Sequence, residues 1–351
     1  MSTQNEQRPG RGRTVAVFGA TGHTGRFVVK ELQRRGFAAV AVARDSAKLA
    51  AGFADSGVET RVATIGDPDS LDSAFAGAAS VINCAGPFLD TADAVARAAL
   101  RARSHYVDVA AEQASALATF ETFDAPAREA GLLFLPAMGF YGGLADLLAT
   151  SAMGDWRSAD EISIGIALDS WHPTRGTRLT GKRNTVRRVI VAAGRMAPLP
   201  EPAAVMSWDF SPPFGRQEMV ELPFSEVVLI VRHLRMVELH TYLNRTPLQD
   251  LLDPSTPPPE ATDATGRSGQ NFLVEVRAQK DGRTRRAMAQ GQDIYASTAP
   301  LVCEAIQRIL DGNAHGSGVQ APGAIFDAPD FLHALAIGHI KIEINPEAAS
   351  E

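Results

Sequence analysis

Gly19, Gly22 and Gly25 recur at every third position in Gly19-Ala20-Thr21-Gly22-His23-Thr24-Gly25. Glycine permits a tight turn at the first position and lets backbone approach a pyrophosphate at the second. At the third it lets a helix close onto a strand. The flanks give this spacing its meaning. The apolar, β-branched run Thr14–Phe18 precedes it, and Phe27, Val28 and Leu32 follow at helical spacing up to a stop at Gly36. Strand, glycine turn and helix in that order set free N–H groups where phosphates bind. Gly19, Thr21, Gly22, His23, Thr24 and Gly25 are therefore candidate dinucleotide ligands; the alternative is a tight turn with no ligand. The next strand, Phe37 to Ala43, ends in Arg44, with Lys48 four residues on. NAD sites usually carry an acid at this tip, whereas a guanidinium suits a 2′-phosphate. NADP (as NADPH) is thus expected, and Asp45 is what would favour NAD. Asp67, after a third strand at Val58–Ile65, is a candidate for adenine, while Asp69 or Ser70 would cap a helix over Leu71–Phe75. Cys84, Ala85, Gly86 and Pro87 leave the fourth strand, where small residues make room for ribose and nicotinamide.

Hydride transfer asks little of side chains beyond alignment and a proton. Tyr141, in Gly139-Phe140-Tyr141-Gly142-Gly143 after the sixth strand, is the candidate donor, with Phe140 beside it. The alternative is an aromatic packed in a glycine-rich turn. His240 and Tyr242 are two apart on one strand and share a face, lining either a pocket or the sheet. Every charge between residues 171 and 197 is basic: Arg175, Arg178, Lys182, Arg183, Arg187, Arg188 and Arg195. Leu179, Val186, Ile190 and Ala193 mark one possible helix face there. The stretch reads as a solvated face or as a site for an anionic handle, with Arg175, Thr177 and Lys182 as substrate contacts. Other chemistries lack their residues. None of the four tyrosines has Lys four positions on, and there is no Gly-x-Ser-x-Gly or His-Glu-x-x-His. Cys84 and Cys303 sit in no metal-ligand spacing, so no metal is expected.

The elements that must hold these residues alternate β-α-β-α to about residue 150, which implies an α/β, Rossmann-type doubly wound parallel sheet. Strands at Glu161–Leu168, Glu218–Leu222, Val227–Val231, Arg235–Tyr242 and Phe272–Gln279 predict a second α+β domain on a mostly antiparallel sheet. A helix at Thr298–Leu310, capped by Ser297 or Thr298, returns to the first domain. The expected boundaries are a disordered tail at 1–13, a nucleotide domain at 14–150 and 296–337, and a substrate or dimerisation domain at 151–295. A terminal strand is expected within 338–344, on the alternation of Ile340, Ile342 and Ile344. The polar, proline-rich segment from Asp253 to Gly269 is expected to be disordered. Length supports two domains: 351 residues, 45% hydrophobic and 21% charged. A net charge of −6 disfavours nucleic acid. Two cysteines, no membrane-length apolar run and a polar N-terminus suggest a cytoplasmic protein.

The motifs Gly19–Gly25, Asn83-Cys84-Ala85-Gly86-Pro87-Phe88, His105-Tyr106-Val107-Asp108-Val109 and Gly139–Asp146 together resemble the saccharopine dehydrogenase-like oxidoreductases. The resemblance resumes in Gly291–Pro300 and Gly318–Gly323; between them only Arg175-Gly176-Thr177 has a counterpart. It implies a nicotinamide-dependent oxidoreductase acting on C–N bonds or, in the trans-acting enoyl reductase branch, on enoyl groups of acyl chains. Tyr141-Gly142-Gly143 stand where the family often has Asp and Ser, which separates this chain from the family's amino-acid sites. The expected activity is NADP(H)-dependent reduction of a C=N or C=C bond in a small or carrier-bound substrate, in a chain able to form a homodimer. The alternative is a non-catalytic NADP-binding redox sensor.

Overall fold

The computed structural model describes residues 13–336 and 340–348. Residues 1–12 of the expected tail, and 337–339 around the second boundary, lie outside it. Arg13 is held: its guanidinium pairs with Asp311 at 3.1 Å and lies over the Phe37 ring.

The first half alternates as its periodicity requires: β1 (Thr14–Phe18), α1 (His23–Arg34), β2 (Ala38–Ala43), α2 (Ser46–Phe53), β3 (Glu59–Val62), α3 (Pro68–Phe75), β4 (Ser80–Asn83), α4 (Phe88–Arg101), β5 (His105–Asp108), α5 (Gln113–Glu129) and β6 (Leu133–Leu135). A π-helical turn, Phe140–Leu144, then leads into α6 (Ala145–Met153). Central strands are buried on both faces, as their unbroken apolar runs demand. All seven strands of this sheet run parallel, in the order β3-β2-β1-β4-β5-β6 and then β15 (Gly318–Val319). The strand order reverses between β1 and β4, where a doubly wound sheet opens a crevice at its carboxyl edge.

The second sheet is built from β7 (Ala159–Leu168), then α7 (Arg175–Arg183), β8 (Val189–Ala192), β9 (Arg195–Pro198), β10 (Val205–Asp209), β11 (Arg216–Glu221), α8 (Glu226–Ile230), β12 (Met236–Asn244), α9 (Arg245–Leu252), β13 (Asn271–Lys280) and β14 (Arg283–Gln292). After α10 (Ile294–Leu310), β15, α11 (Pro322–Ile325) and α12 (Ala328–Ala336), the strand β16 (Ile340–Ala348) adds to its edge. The order is β10-β11-β12-β7-β13-β14-β16, antiparallel except for the β12–β7 pair. One apolar cluster runs from Val15 and Leu32 through α6 and α10 to β7 and β13, so the two sheets share a core.

Several expectations change. Val227–Val231 lies in helix α8 rather than a strand: this short apolar run is buried all round against α5, α6 and the π-helical turn. Periodicity cannot separate such a run from a strand. The helix expected through Ile190 and Ala193 stops at Arg183. Val189-Ile190-Val191 is β-branched, and Ala193 and Gly194 both take positive φ to turn β8 into β9. The segment 253–269, expected to be disordered, contacts α7, its carbonyls at Asp253 and Thr256 accepting from Arg178 at 3.1 and 2.8 Å. The returning helix begins at Ile294, capped by Asp293 and not by Ser297 or Thr298.

Candidate functional site

The glycine turn leads into α1 at an open helix end. The helix has no side-chain cap and no acid in its first turn, leaving its amino-terminal N–H groups for a ligand. A Cβ on Gly25 would collide with the Gly19 carbonyl oxygen, so the turn closes only with glycine there. Cys84 N–H donates to Phe18 O at 2.8 Å and Gly19 N–H to Val42 O at 2.9 Å, which ties the turn to both neighbouring strands. Arg44 is exposed and has no partner among the described residues. Asp45, the acid that would favour NAD, instead caps α2, its carboxylate accepting from Lys48 N–H at 3.0 Å. The Lys48 ammonium lies 3.6 Å from the same carboxylate. Asp67 corrects another expectation: it is itself the cap of α3, accepting from Ser70 N–H at 3.2 Å, in place of Asp69 or Ser70. These features fit a dinucleotide with a 2′-phosphate: an uncapped helix end, a free arginine at the β2 tip and an acid already engaged.

A cavity of about 230 Å³ adjoins the loop at the carboxyl edge of the parallel sheet. Thr24 from α1 and Cys84 and Gly86 after β4 line it next to the glycine turn. Asn83, buried, shapes that exit by accepting Ala85 N–H at 3.0 Å and donating to Thr91. Burial pushes the Cys84 thiol up to about 12, which leaves it a wall and not a nucleophile. Much of the remaining wall is aromatic: Phe88, Phe140, Tyr141, Trp171 and Phe224. The Tyr141 ring stacks on Phe224 at 4.3 Å and lies 5.4 Å from Trp171. It is carried by the π-helical turn, which comes close to Ala137 because Gly142 has no Cβ. The Tyr141 hydroxyl is buried and makes no hydrogen bond. Burial, then the neighbouring Tyr295 and Glu226, hold it protonated well above its ordinary range.

Polar groups enter at three points. Tyr295, on α10, takes Trp171 Nε1–H at 3.0 Å on its hydroxyl, which also bonds Thr177 Oγ1 at 2.9 Å. Its ring meets His23 edge-on at 5.4 Å; the His23 Nε2 atom is buried without a partner, and burial lowers its basicity. Arg188 lines the wall between α7 and β8, with its Cζ 5.0 Å from the Phe224 ring. Beneath lie two buried acids. Glu112 accepts Phe88 N–H at 2.9 Å and Ala111 N–H at 3.1 Å. Glu226 accepts Thr241 Oγ1–H at 2.7 Å and Phe224 N–H at 2.9 Å on one oxygen, while the other is unpartnered. Burial drives Glu226 up to about 7, against these bonds and Arg188.

The roof is α7, none of whose residues is buried. Thr174, Gly176, Thr177, Thr180 and Gly181 face the cavity, and Thr180 lies against Gly86. Arg175 and Lys182 point away: both are exposed and absent from the cavity wall. Three of the seven basic residues are spent on structure. Arg183 pairs with Asp90 at 2.7 Å, Arg178 binds loop carbonyls and Arg187 donates to Leu199 O. His240 and Tyr242 are on the far face of the second sheet. His240 Nδ1 lies 2.6 Å from Glu221, and Tyr242 packs with Trp208, Phe210 and Met219. Their alternation put Leu239 and Leu243 toward the core instead. Glu112, Trp171, Phe224 and Glu226 carried no local sequence signal, and Tyr295 entered only within the Gly291–Pro300 resemblance, since the five converge from four separate segments. Among the described residues no cluster of His, Cys, Asp and Glu could hold a metal ion, and no helix is long and apolar enough to cross a membrane.

Residues 15–132 match the family model of the saccharopine dehydrogenase NADP binding domain. None of the curated proteins matches the chain. Apo histidine-tagged saccharopine dehydrogenase (L-Glu forming) from Saccharomyces cerevisiae superposes with a TM-score of 0.65 at 13% identity, covering 95% of this chain and 99% of that one. At that identity the likeness is one of fold. Triphenylmethane reductase from Citrobacter sp., complexed with NADP(H), aligns over 49% of this chain and 64% of its own at 24% identity and TM-score 0.32. An NADPH-dependent quinone oxidoreductase from Escherichia coli aligns over 43% and 58% at 21% identity and TM-score 0.29. At those scores neither bears on the chemistry here.

Proposed function

We propose that this chain, which is saccharopine dehydrogenase-like in its NADP-binding domain and in its fold, is an NADPH-dependent reductase of an apolar substrate with a C=C bond conjugated to a carbonyl. The observation that carries the proposal is the Tyr141 hydroxyl: buried, protonated and without a partner, in the aromatic wall of the cavity beside Gly86. A buried hydroxyl left unpaired costs about 1–3 kcal/mol, a cost a substrate oxygen or carbon accepting its proton would offset.

Bound NADPH supplies the hydride. The chain's own residues do the rest. The free N–H groups of α1 would hold the pyrophosphate, and Arg44 would pair with the 2′-phosphate. Gly86 and Cys84 leave room for the nicotinamide. Phe88, Trp171 and Phe224 exclude water and hold an apolar skeleton flat. Tyr141 Oη would donate a hydrogen bond to the carbonyl oxygen as negative charge builds there, and would then pass its proton to the α-carbon while hydride is added at the β-carbon, the phenolate regaining a proton from solvent before the next turnover. The apolar walls favour this substrate over the polar amino acid that an imine reductase of the family style would take.

The test is NADPH oxidation at 340 nm against α,β-unsaturated acids, esters and thioesters, with cyclic imines alongside. Turnover of the conjugated alkenes and none of the imines is expected. Turnover confined to the imines would replace this reading with the C=N alternative.

A further inference from the structure

Arg188 is a half-buried guanidinium in an apolar cavity wall, and it forms no ion pair among the described residues. One protein hydrogen bond holds it, from Nη1 to Pro223 O at 2.5 Å; Nε and Nη2 have no partner among the described residues. Its position is fixed, not incidental. Gln113 grips the neighbouring backbone from both sides, donating to Val189 O and accepting Val189 N–H, each at 2.8 Å. Glu112, the cap residue before α5 and itself part of the cavity wall, and Glu226 on α8 lie near it; both Glu112 oxygens and one Glu226 oxygen accept from other donors, and the second Glu226 oxygen is unpartnered. Burial makes the charged form of Arg188 harder to keep, and the two acids only partly offset this. A half-buried cation with unused donors in a cavity wall favours an anionic partner there. A planar fork selects a carboxylate, which accepts two of its N–H groups at once. Arg188 and Tyr141 both rest against Phe224, so a group bound at one is within a short, flat molecule of the other.

We infer that the substrate is an apolar monocarboxylate, and that Arg188 is the residue that holds its carboxylate. This rests on the proposed reductase reading for its relevance, but not for its test. One anchoring cation in a cavity walled by six aromatic side chains fits one carboxylate on an aromatic or unsaturated skeleton. It does not fit a dicarboxylate, whose second charge would have no counter-ion there.

The full-length protein, without cofactor and again with NADP⁺, is titrated calorimetrically with trans-cinnamate, cinnamamide and glutarate. Wild type is expected to bind cinnamate roughly 10- to 100-fold more tightly than the amide, the range a charge-assisted pair supplies. Arg188→Met should erase that difference and leave amide binding unchanged; Tyr141→Phe should preserve it. Equal binding of acid and amide by wild type, or glutarate binding as tight as cinnamate, overturns the assignment. Should Arg188→Met not fold, the structure of the wild-type cinnamate complex decides. A carboxylate oxygen about 2.7–2.9 Å from the guanidinium supports it, and a carboxylate bound elsewhere refutes it. Because NADPH turnover is not read, failure here leaves the reductase proposal standing.

Discussion

At the scale of single residues, the glycine loop was the part of the site most legible in the sequence, because its requirement is mechanical. Gly25 has no room for a Cβ, so Gly25→Ala should destabilise the fold by about 1–3 kcal/mol and abolish NADPH binding, measured by fluorescence titration. Arg44 was legible by position, and the capping role of Asp45 strengthens the NADP reading. Arg44→Glu should therefore remove most of the preference for NADPH over NADH, read as the ratio of the two dissociation constants. An unchanged ratio would assign the 2′-phosphate to another group. Tyr141 was legible as a candidate, though its lack of a hydrogen-bond partner was not. Glu226 was invisible: its importance lies in burial, in an empty lone pair and in neighbours from other elements. Its titration has a definite sign. Folded Glu226 holds its proton up to about pH 7, whereas the unfolded chain releases it near 4.5. The folded state therefore binds the extra proton between those values, and stability falls as pH rises through that window. Glu226→Gln should flatten this part of the Tm-against-pH curve.

At the scale of elements, alternation identified the parallel sheet well because βαβ units repeat one pattern, and the turn residues mark each junction. It failed where a segment is short and wholly buried, as at α8, or where a charged helix gives way to a hairpin, as at Arg183. There tertiary contacts decide. The α7 roof buries none of its residues and hangs on Thr177, Arg178 and Arg183. Its amides should exchange with deuterium faster than those of α1, and should slow when NADP⁺ and a cavity ligand bind together. A second tie joins α6 to the loop after α8 and to α11. Asp146, fully buried, accepts Gly323 N–H at 2.7 Å and meets His233 Nε2 at 2.7 Å. Burial opposes the charge on His233, but the Asp146 carboxylate outweighs it and raises His233 above its ordinary 6.5. A raised histidine stabilises fully below pH 6.5 and loses that contribution as pH climbs through the folded value. Thermal melts of His233→Gln should thus converge with wild type at high pH and fall below it at low pH.

At the scale of the whole molecule, two sheets share one apolar core, and the cavity lies where the parallel sheet's edge meets elements of the second. The chain should unfold in a single calorimetric transition. NADPH at 100 times its dissociation constant should raise that transition as a unit, by about 2.7 kcal/mol of added stability. The sequence indicated the two-sheet plan, but the site's substrate wall arises from residues 88 to 298 brought together only by folding. The central claim is that this wall presents Tyr141 as the proton donor. It is tested most directly by single-turnover reduction of a conjugated alkene by wild type and Tyr141→Phe, each saturated with NADPH. Unchanged NADPH affinity is expected, with a melting temperature at or above that of wild type because an unpaired buried hydroxyl is removed, and a rate of hydride transfer lowered about 10²- to 10⁴-fold. A Tyr141→Phe enzyme that transfers hydride at the wild-type rate would contradict it.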